Sequence, residues 1–233
     1  QTGEDIERHL FRRFSHLVAV RRFVAGWLTL LLLLIAGLLL QTANLSGYYQ
    51  TLQPVPGGIY SEGILGSFTT ANPLFAVNDV DLSVSRLIFA GLFTYNSRNQ
   101  LVGDLASDYQ VNDKGNEFTV HLKPGLTWQD GQPLTSADVV FTYQTIQDPD
   151  VKSPLLSSWQ GVQVSAPDAR TVVFTLPDPL ASFPTDLTNG IVPKHLLARV
   201  PAVDLRSADF NTVNPVGAGP FAWGGVQVSG ANP

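Results

Sequence analysis

Residues 117–144, EFTVHLKPGLTWQDGQPLTSADVVFTYQ, carry the densest run of structural signals in the chain. Phe118, Val120 and Leu122 alternate with Thr119, His121 and Lys123, the period of two that predicts a strand with one buried face. Pro124-Gly125 turns the chain, and Leu126-Thr127-Trp128 gives a second short extended piece. Asp130-Gly131 predicts a tight turn, because Gly takes a positive φ without a Cβ clash. Thr135 and Asp138 stand at the T-x-x-D spacing of a capping box, with Asp in place of the usual Glu or Gln. Val139, Val140, Tyr143 and Ile146 can then share one face of a helix. The segment therefore predicts strand, turn, strand, turn and capped helix.

Working outward, Asp113-Lys114-Gly115-Asn116 is a hairpin-type turn leading into this stretch. Further upstream, Val84, Leu87, Ile88 and Leu92 recur at helical spacing within 81–93, with Arg86 at a solvated position, and 59–63 is expected to be an extended strand. Downstream, Asp148-Pro149 ends the helix, since the residue before Pro is pushed out of the α region. Residues 162–164 and 171–176 predict strands on either side of a Pro167-Asp168 turn. Pro193 is placed to open a helix whose first turn holds His195 in a structural role. Residues 215–221, PVGAGPF, look superficially like a phosphate-binding Gly loop. The third Gly of G-x-G-x-x-G is replaced by Ala222, and Pro220 works against a helix there, so the expectation is a tight turn entering a strand.

Composition narrows the chemistry. The chain has no Cys, which excludes disulfides, thiolate metal sites and a Cys nucleophile. Its four His show no H-x-x-x-H or H-E-x-x-H spacing, so no metal ligands are assigned. Neither G-x-S-x-G nor a paired His/acid cluster is present, and no catalytic residue or cofactor is assigned. The net charge is −5, and the basic residues form no stripe, which argues against a nucleic-acid partner.

Residues 1–22 hold five Arg against three acidic residues, and the run from Phe23 to Leu40 has no charge at all. As a helix that run spans about 27 Å, near the thickness of a bilayer's hydrocarbon core. Arg21 and Arg22 sit at its N-terminal edge and the next basic residue is Arg86, so the positive-inside rule predicts a cytoplasmic N-terminus and an extracytoplasmic body. The run exceeds a signal-peptide core, and Gln41 before Ala43 spoils an A-x-A site, so an uncleaved signal anchor over 23–43 is expected. Tyr48 and Tyr49, in a juxtamembrane linker over 44–56, are suited to the headgroup level. The sequence, which opens on Gln and stops at Ala-Asn-Pro, is expected to be the N-terminal portion of a longer protein.

Trp128, Asp130, Gly131, Pro133, Thr135 and Asp138, with Phe118, Leu122, Gly125, Val139, Val140 and Phe141, resemble a signature of the family 5 extracellular solute-binding proteins. These are the oligopeptide and dipeptide receptors of ABC importers. The resemblance extends through Asn72-Pro73, Gly91-Leu92, Leu105-Ala106, the strands of 162–176, 191–197, and Gly217, Gly219 and Pro220. Asn72, Asp104 and Tyr109 depart from it, standing where Asp, Pro and Trp are usual.

The resemblance implies an α/β, periplasmic-binding-protein-like fold of type II, in the peptide-receptor class. It implies a first lobe with its extra subdomain, a second lobe largely missing, and one preceding transmembrane helix. On that template 57–80 and 183–233 form the main part of lobe one and 81–182 the extra subdomain. The function implied is capture of peptides or peptide-like solutes by hinge closure, without enzymatic activity, and delivery to ABC permease subunits. The bilayer would be met through residues 23–40. Ligand backbone would pair with an edge at Gly66, Ser67, Phe68, Thr69 and Thr70, whereas the Trp128-to-Asp138 and Gly217-to-Pro220 motifs build scaffold. The alternative is a non-transport envelope scaffold or sensor that keeps the binding fold. Dipeptide, oligopeptide, nickel complex, haem and sugar all stay open as ligands.

Overall fold

The structure, a computed structural model, describes residues 3–49, 59 and 61–227. It divides into two units, Gln1–Ser61 and Glu62–Pro233. The first holds one helix, α1 (Gly3–Tyr49). Within it Val20–Ala43 has a mean hydropathy of 2.6 and none of it is buried. From Phe23 to Leu40 it carries no charge and is apolar on every side, a pattern that suits a lipid-spanning helix better than a half-buried surface one. Its hydroxyls are satisfied internally: Thr29 Oγ1 donates to the Ala25 carbonyl at 2.8 Å and Thr42 Oγ1 to that of Leu39 at 2.9 Å. The helix runs past both ends of the apolar stretch. The first residues of the expected linker are therefore helical, while 50–56 lie outside the described residues.

In the second unit, 61–64 form no strand, contrary to expectation; no strand pairs with them among the described residues, and Leu65 beside them is fully exposed. Helix α2 (Asp79–Ile88) follows, then the two-stranded ribbon β1 (Phe93–Tyr95) and β2 (Leu101–Gly103). Strands β3 (Ala106–Val111), β4 (Glu117–Leu122), β5 (Gln163–Asp168) and β6 (Thr171–Thr175) make an antiparallel sheet in the order β3-β4-β6-β5. The alternation in β4 has its expected consequence: Phe118, Val120 and Leu122 are buried and the residues between them are not. Phe118 faces Phe174 and Val120 faces Val172 across β4 and β6, so inward side chains meet pairwise. The β3–β4 hairpin turns at Gly115, with φ at 70°. The second hairpin differs from expectation. Pro167 and Asp168 close β5 itself and the turn falls on Ala169-Arg170. A register shift between Ser165 and Asp168 accommodates Pro167, which has no N–H to give the ladder.

Helix α3 (Ser136–Gln147) packs on this sheet and buries Val139, Tyr143 and Ile146 completely, while Val140 is half-buried. Its capping box is present: the Thr135 N–H donates to Asp138 Oδ2 at 2.9 Å. The short helices α4 (Leu156–Trp159) and α5 (Phe183–Asp186) add aromatics to the same core. The Tyr143 and Trp159 rings lie 4.0 Å apart, and Phe183 lies 5.0 Å from Phe118 and 5.5 Å from Phe174. Such pairs add about 0.5–1.5 kcal/mol each beyond the area they bury. Helix α6 (Lys194–Leu197) starts directly after Pro193, as its missing N–H allows.

Candidate functional site

The 66–70 segment lies against the start of α2. Gly66 takes φ 143°, and a Cβ there would meet Val80 Cγ2 at 2.9 Å, so only Gly lets the chain approach this closely. The carboxylate of Asp81, fully buried, organises the residues that follow. Its Oδ1 accepts the N–H groups of Thr69 (2.8 Å) and Thr70 (3.1 Å); its Oδ2 accepts the Thr69 hydroxyl and, at 2.7 Å, Asn78 Nδ2. Asn78 in turn caps α2, its Oδ1 taking the Asp81 N–H at 2.9 Å. No cation pairs with Asp81 among the described residues. Four donors and the positive end of α2 stabilise its charge instead.

Beyond Thr70 a second clamp takes over. The Ala71 N–H donates to the Asn211 carbonyl at 2.8 Å, and Asn72 Nδ2 to Asn211 Oδ1 at 2.8 Å. Asn211 Nδ2 itself donates to the Leu205 and Arg206 carbonyls. The five expected edge residues therefore differ in what they can offer. Thr69 and Thr70 have committed their N–H groups to Asp81. Gly66, Ser67 and Phe68 make no backbone hydrogen bond among the described residues. Phe68 also stacks on Trp223 at 5.6 Å.

The motif residues gather around the Trp128–Gly131 turn and the start of α3. Trp128 is 2% exposed, its backbone N–H donating to the Gln132 carbonyl, and Gly131 turns at φ 85°. Thr127 and Pro133 form an isolated bridge across this turn. Asp130 Oδ1 accepts the Gln132 N–H at 3.0 Å, and its Oδ2 meets His195 Nε2 at 2.7 Å; this and the 2.6 Å contact of His121 Nδ1 with Asp108 Oδ1 are His–acid pairs that the sequence reading did not expect. Desolvation pushes the Asp130 carboxyl up, but the bonds from His195 and Gln132 outweigh it and leave it below the usual aspartate range. Asp138 completes the Thr135 cap and also accepts the Lys194 N–H at 3.0 Å, joining α3 to α6.

Gly217 and Gly219 lie on the last turn of α2: a Cβ on Gly217 would fall 1.8 Å from the Ile88 carbonyl oxygen. The Gly219 N–H donates to that oxygen at 2.7 Å, and beyond Pro220 the Phe221 N–H donates to the Leu87 carbonyl at 3.0 Å. Gln129 ties this turn to the Asp130 corner, donating to the Gly219 and Phe221 carbonyls and accepting the Gly217 N–H. The strand expected after Pro220 does not form within 222–227.

Sequence reasoning missed Asp81, Asn78, Asn211 and Gln129. Asn78 and Asp81 were findable, since N-x-x-D spacing ahead of an apolar helix marks a cap; Asn211 and Gln129 act over long range and leave no local signal. Among the described residues no group of three His, Cys, Asp or Glu could hold a metal ion.

Comparison with known proteins defines the class. Residues 100–229 match the profile described as bacterial extracellular solute-binding proteins, family 5 Middle. That is more than half of the chain, which belongs to this family. The oligopeptide-binding protein AppA of Bacillus subtilis is 29% identical over 184 residues, covering 78% of this chain and 34% of AppA. A putative ABC transporter peptide-binding protein of Brucella ovis is 31% identical over 162 residues, 68% of this chain and 30% of the relative. The solved structure of AppA with a nonapeptide superposes with a TM-score of 0.64 at 29% identity, over 68% of this chain and 32% of AppA. The substrate-binding protein CtaP of Listeria monocytogenes gives 0.63 at 34% identity, over 70% and 33%. NikZ of Campylobacter jejuni, solved with Ni(L-His), gives 0.63 at 25%, over 70% and 32%. The fold is thus the α/β, type II periplasmic-binding-protein-like fold, and the chain spans about a third of the length of the relatives it matches.

Proposed function

We propose that this chain supplies the first of two lobes of a membrane-anchored, extracytoplasmic solute-binding protein that captures peptides or peptide-like solutes for an ABC importer. The observation that carries the reading is its likeness to AppA, whose solved structure holds a nonapeptide. NikZ, solved with Ni(L-His), shows that a related fold also accepts an amino-acid complex. On this reading 57–80 and 183–233 form the main part of the lobe and 81–182 the extra subdomain. Helix α1 tethers the lobe with its N-terminus in the cytoplasm. Ligand backbone pairs with Gly66, Ser67 and Phe68, whose polar groups are uncommitted, while Thr69 and Thr70 are held in place by Asp81. Binding energy from both lobes then shifts an open–closed equilibrium and presents a closed form to the permease.

Calorimetry of the full-length protein against mixed short peptides tests the reading. Saturable binding of peptides is expected. Silence across peptides, nickel chelates and small sugars would overturn it.

A further inference from the structure

A cleft between α2 and the 185–190 segment has side chains that no role described above uses. It encloses about 240 Å3 and is lined in part by Pro73, Leu82, Arg86, Phe89, Asp186 and Asn189. Pockets for drug-sized ligands run to roughly 300–1,000 Å3, so this one suits something smaller. Leu82 and Arg86, at i and i+4, share one side of α2, and Phe89 follows directly after its last residue. The cleft thus combines an apolar floor with two opposite charges. Arg86 and Asp186 make no ion pair with each other or with any other described residue. Partial desolvation pushes the Asp186 carboxyl up, and both Asp186 and Arg86 are exposed at the surface of the cleft. Two unpaired opposite charges that line one cleft beside apolar side chains are candidates for ligand contact.

We propose that this cleft binds a small zwitterion, an amino acid or short peptide with free termini, whose carboxylate meets Arg86 and whose ammonium meets Asp186. The guanidinium fork matches a carboxylate in two parallel hydrogen bonds, and an aspartate accepts from an ammonium in several directions. The apolar floor takes the side chain next to the charged group. The proposal rests on the solute-binding reading for its class of ligand, but not on the 66–70 edge.

The test is calorimetry of the 233-residue chain in lipid nanodiscs with L-alanyl-L-alanine, L-alanine, the N-acetyl and C-amide forms of the dipeptide, and a nonapeptide. The free dipeptide is expected to bind about tenfold or more tightly than either blocked form, the worth of one charge-assisted hydrogen bond. Arg86→Gln should abolish the preference over the amide and keep that over the acetyl form; Asp186→Asn should do the converse. Arg86→Lys should restore part of the first preference, and unchanged far-UV spectra show that the variants fold. Binding of L-alanine at the dipeptide's affinity identifies a single-residue site, and its absence identifies a peptide end; both support the shared chemistry. Blocked forms that bind as well as the free dipeptide, or variants that keep both preferences, overturn the proposal. If the dipeptide is silent while the nonapeptide binds alike to all variants, the cleft falls and the peptide-receptor reading stands.

Discussion

Asp81 shows how one side chain sets the shape of a longer segment. Replacing it with Ala strands the buried Thr70 N–H and frees that of Thr69, and an unsatisfied buried donor costs about 1–3 kcal/mol. Asp81→Ala is therefore expected to lower stability by about 2 kcal/mol in urea unfolding, with Asp81→Asn, which keeps one acceptor, lowering it less. Asp130 gives a prediction with a pH signature. Its folded value is the lower one, so the unfolded chain takes up the proton first. The stability it contributes is complete above the ordinary Asp value of about 3.9 and is lost as pH falls through the folded value. Asp130→Asn should lower the urea midpoint in the neutral region and flatten its fall on the acid limb, where the two proteins converge. Both roles were partly legible. The Asp130-Gly131 turn follows from local chemistry, but its bond to His195 spans 65 residues and no spacing rule reports it.

The elements with a strong period were readable, and those without one were not. β4 alternates and α3 carries its own cap, so each appears where the side chains require it. Residues 59–63 offer no alternation, and neither they nor 222–227 have a strand neighbour among the described residues. At this scale Tyr143 is the informative probe. Its hydroxyl is buried without a partner among the described residues, and burial with nearby Asp186 pushes its ionisation well above the ordinary range. Tyr143→Phe keeps the ring stack and removes an unsatisfied group, so a gain of about 1 kcal/mol is expected in the same assay. Gly217→Ala should do the opposite. Its methyl would overlap the Ile88 carbonyl, and overpacking of this kind costs about 1–3 kcal/mol.

For the whole molecule, the expected outcome is that the chain remains with membranes through an alkaline carbonate wash, and that deleting 20–43 releases it. Extraction of the intact chain by carbonate would contradict anchoring through α1. The class of the molecule was legible because turns, caps and alternating strands recur in one order along residues 100–229. The charges of the α2 cleft were not: Arg86 and Asp186 lie 100 positions apart, and only the folded chain brings them to one cavity.

Helix α1 continues to Tyr49, six residues beyond the apolar run that ends at Ala43. At 1.5 Å per residue that is about 9 Å of additional rod. If α1 spans a bilayer as proposed, such a rod can slide along its own axis to suit a thinner or thicker sheet of lipid, since the turns entering or leaving the headgroups are already wound and no backbone bond need break. Exchange of deuterium into the amides of 44–49 should then stay slow in short-chain and long-chain vesicles alike.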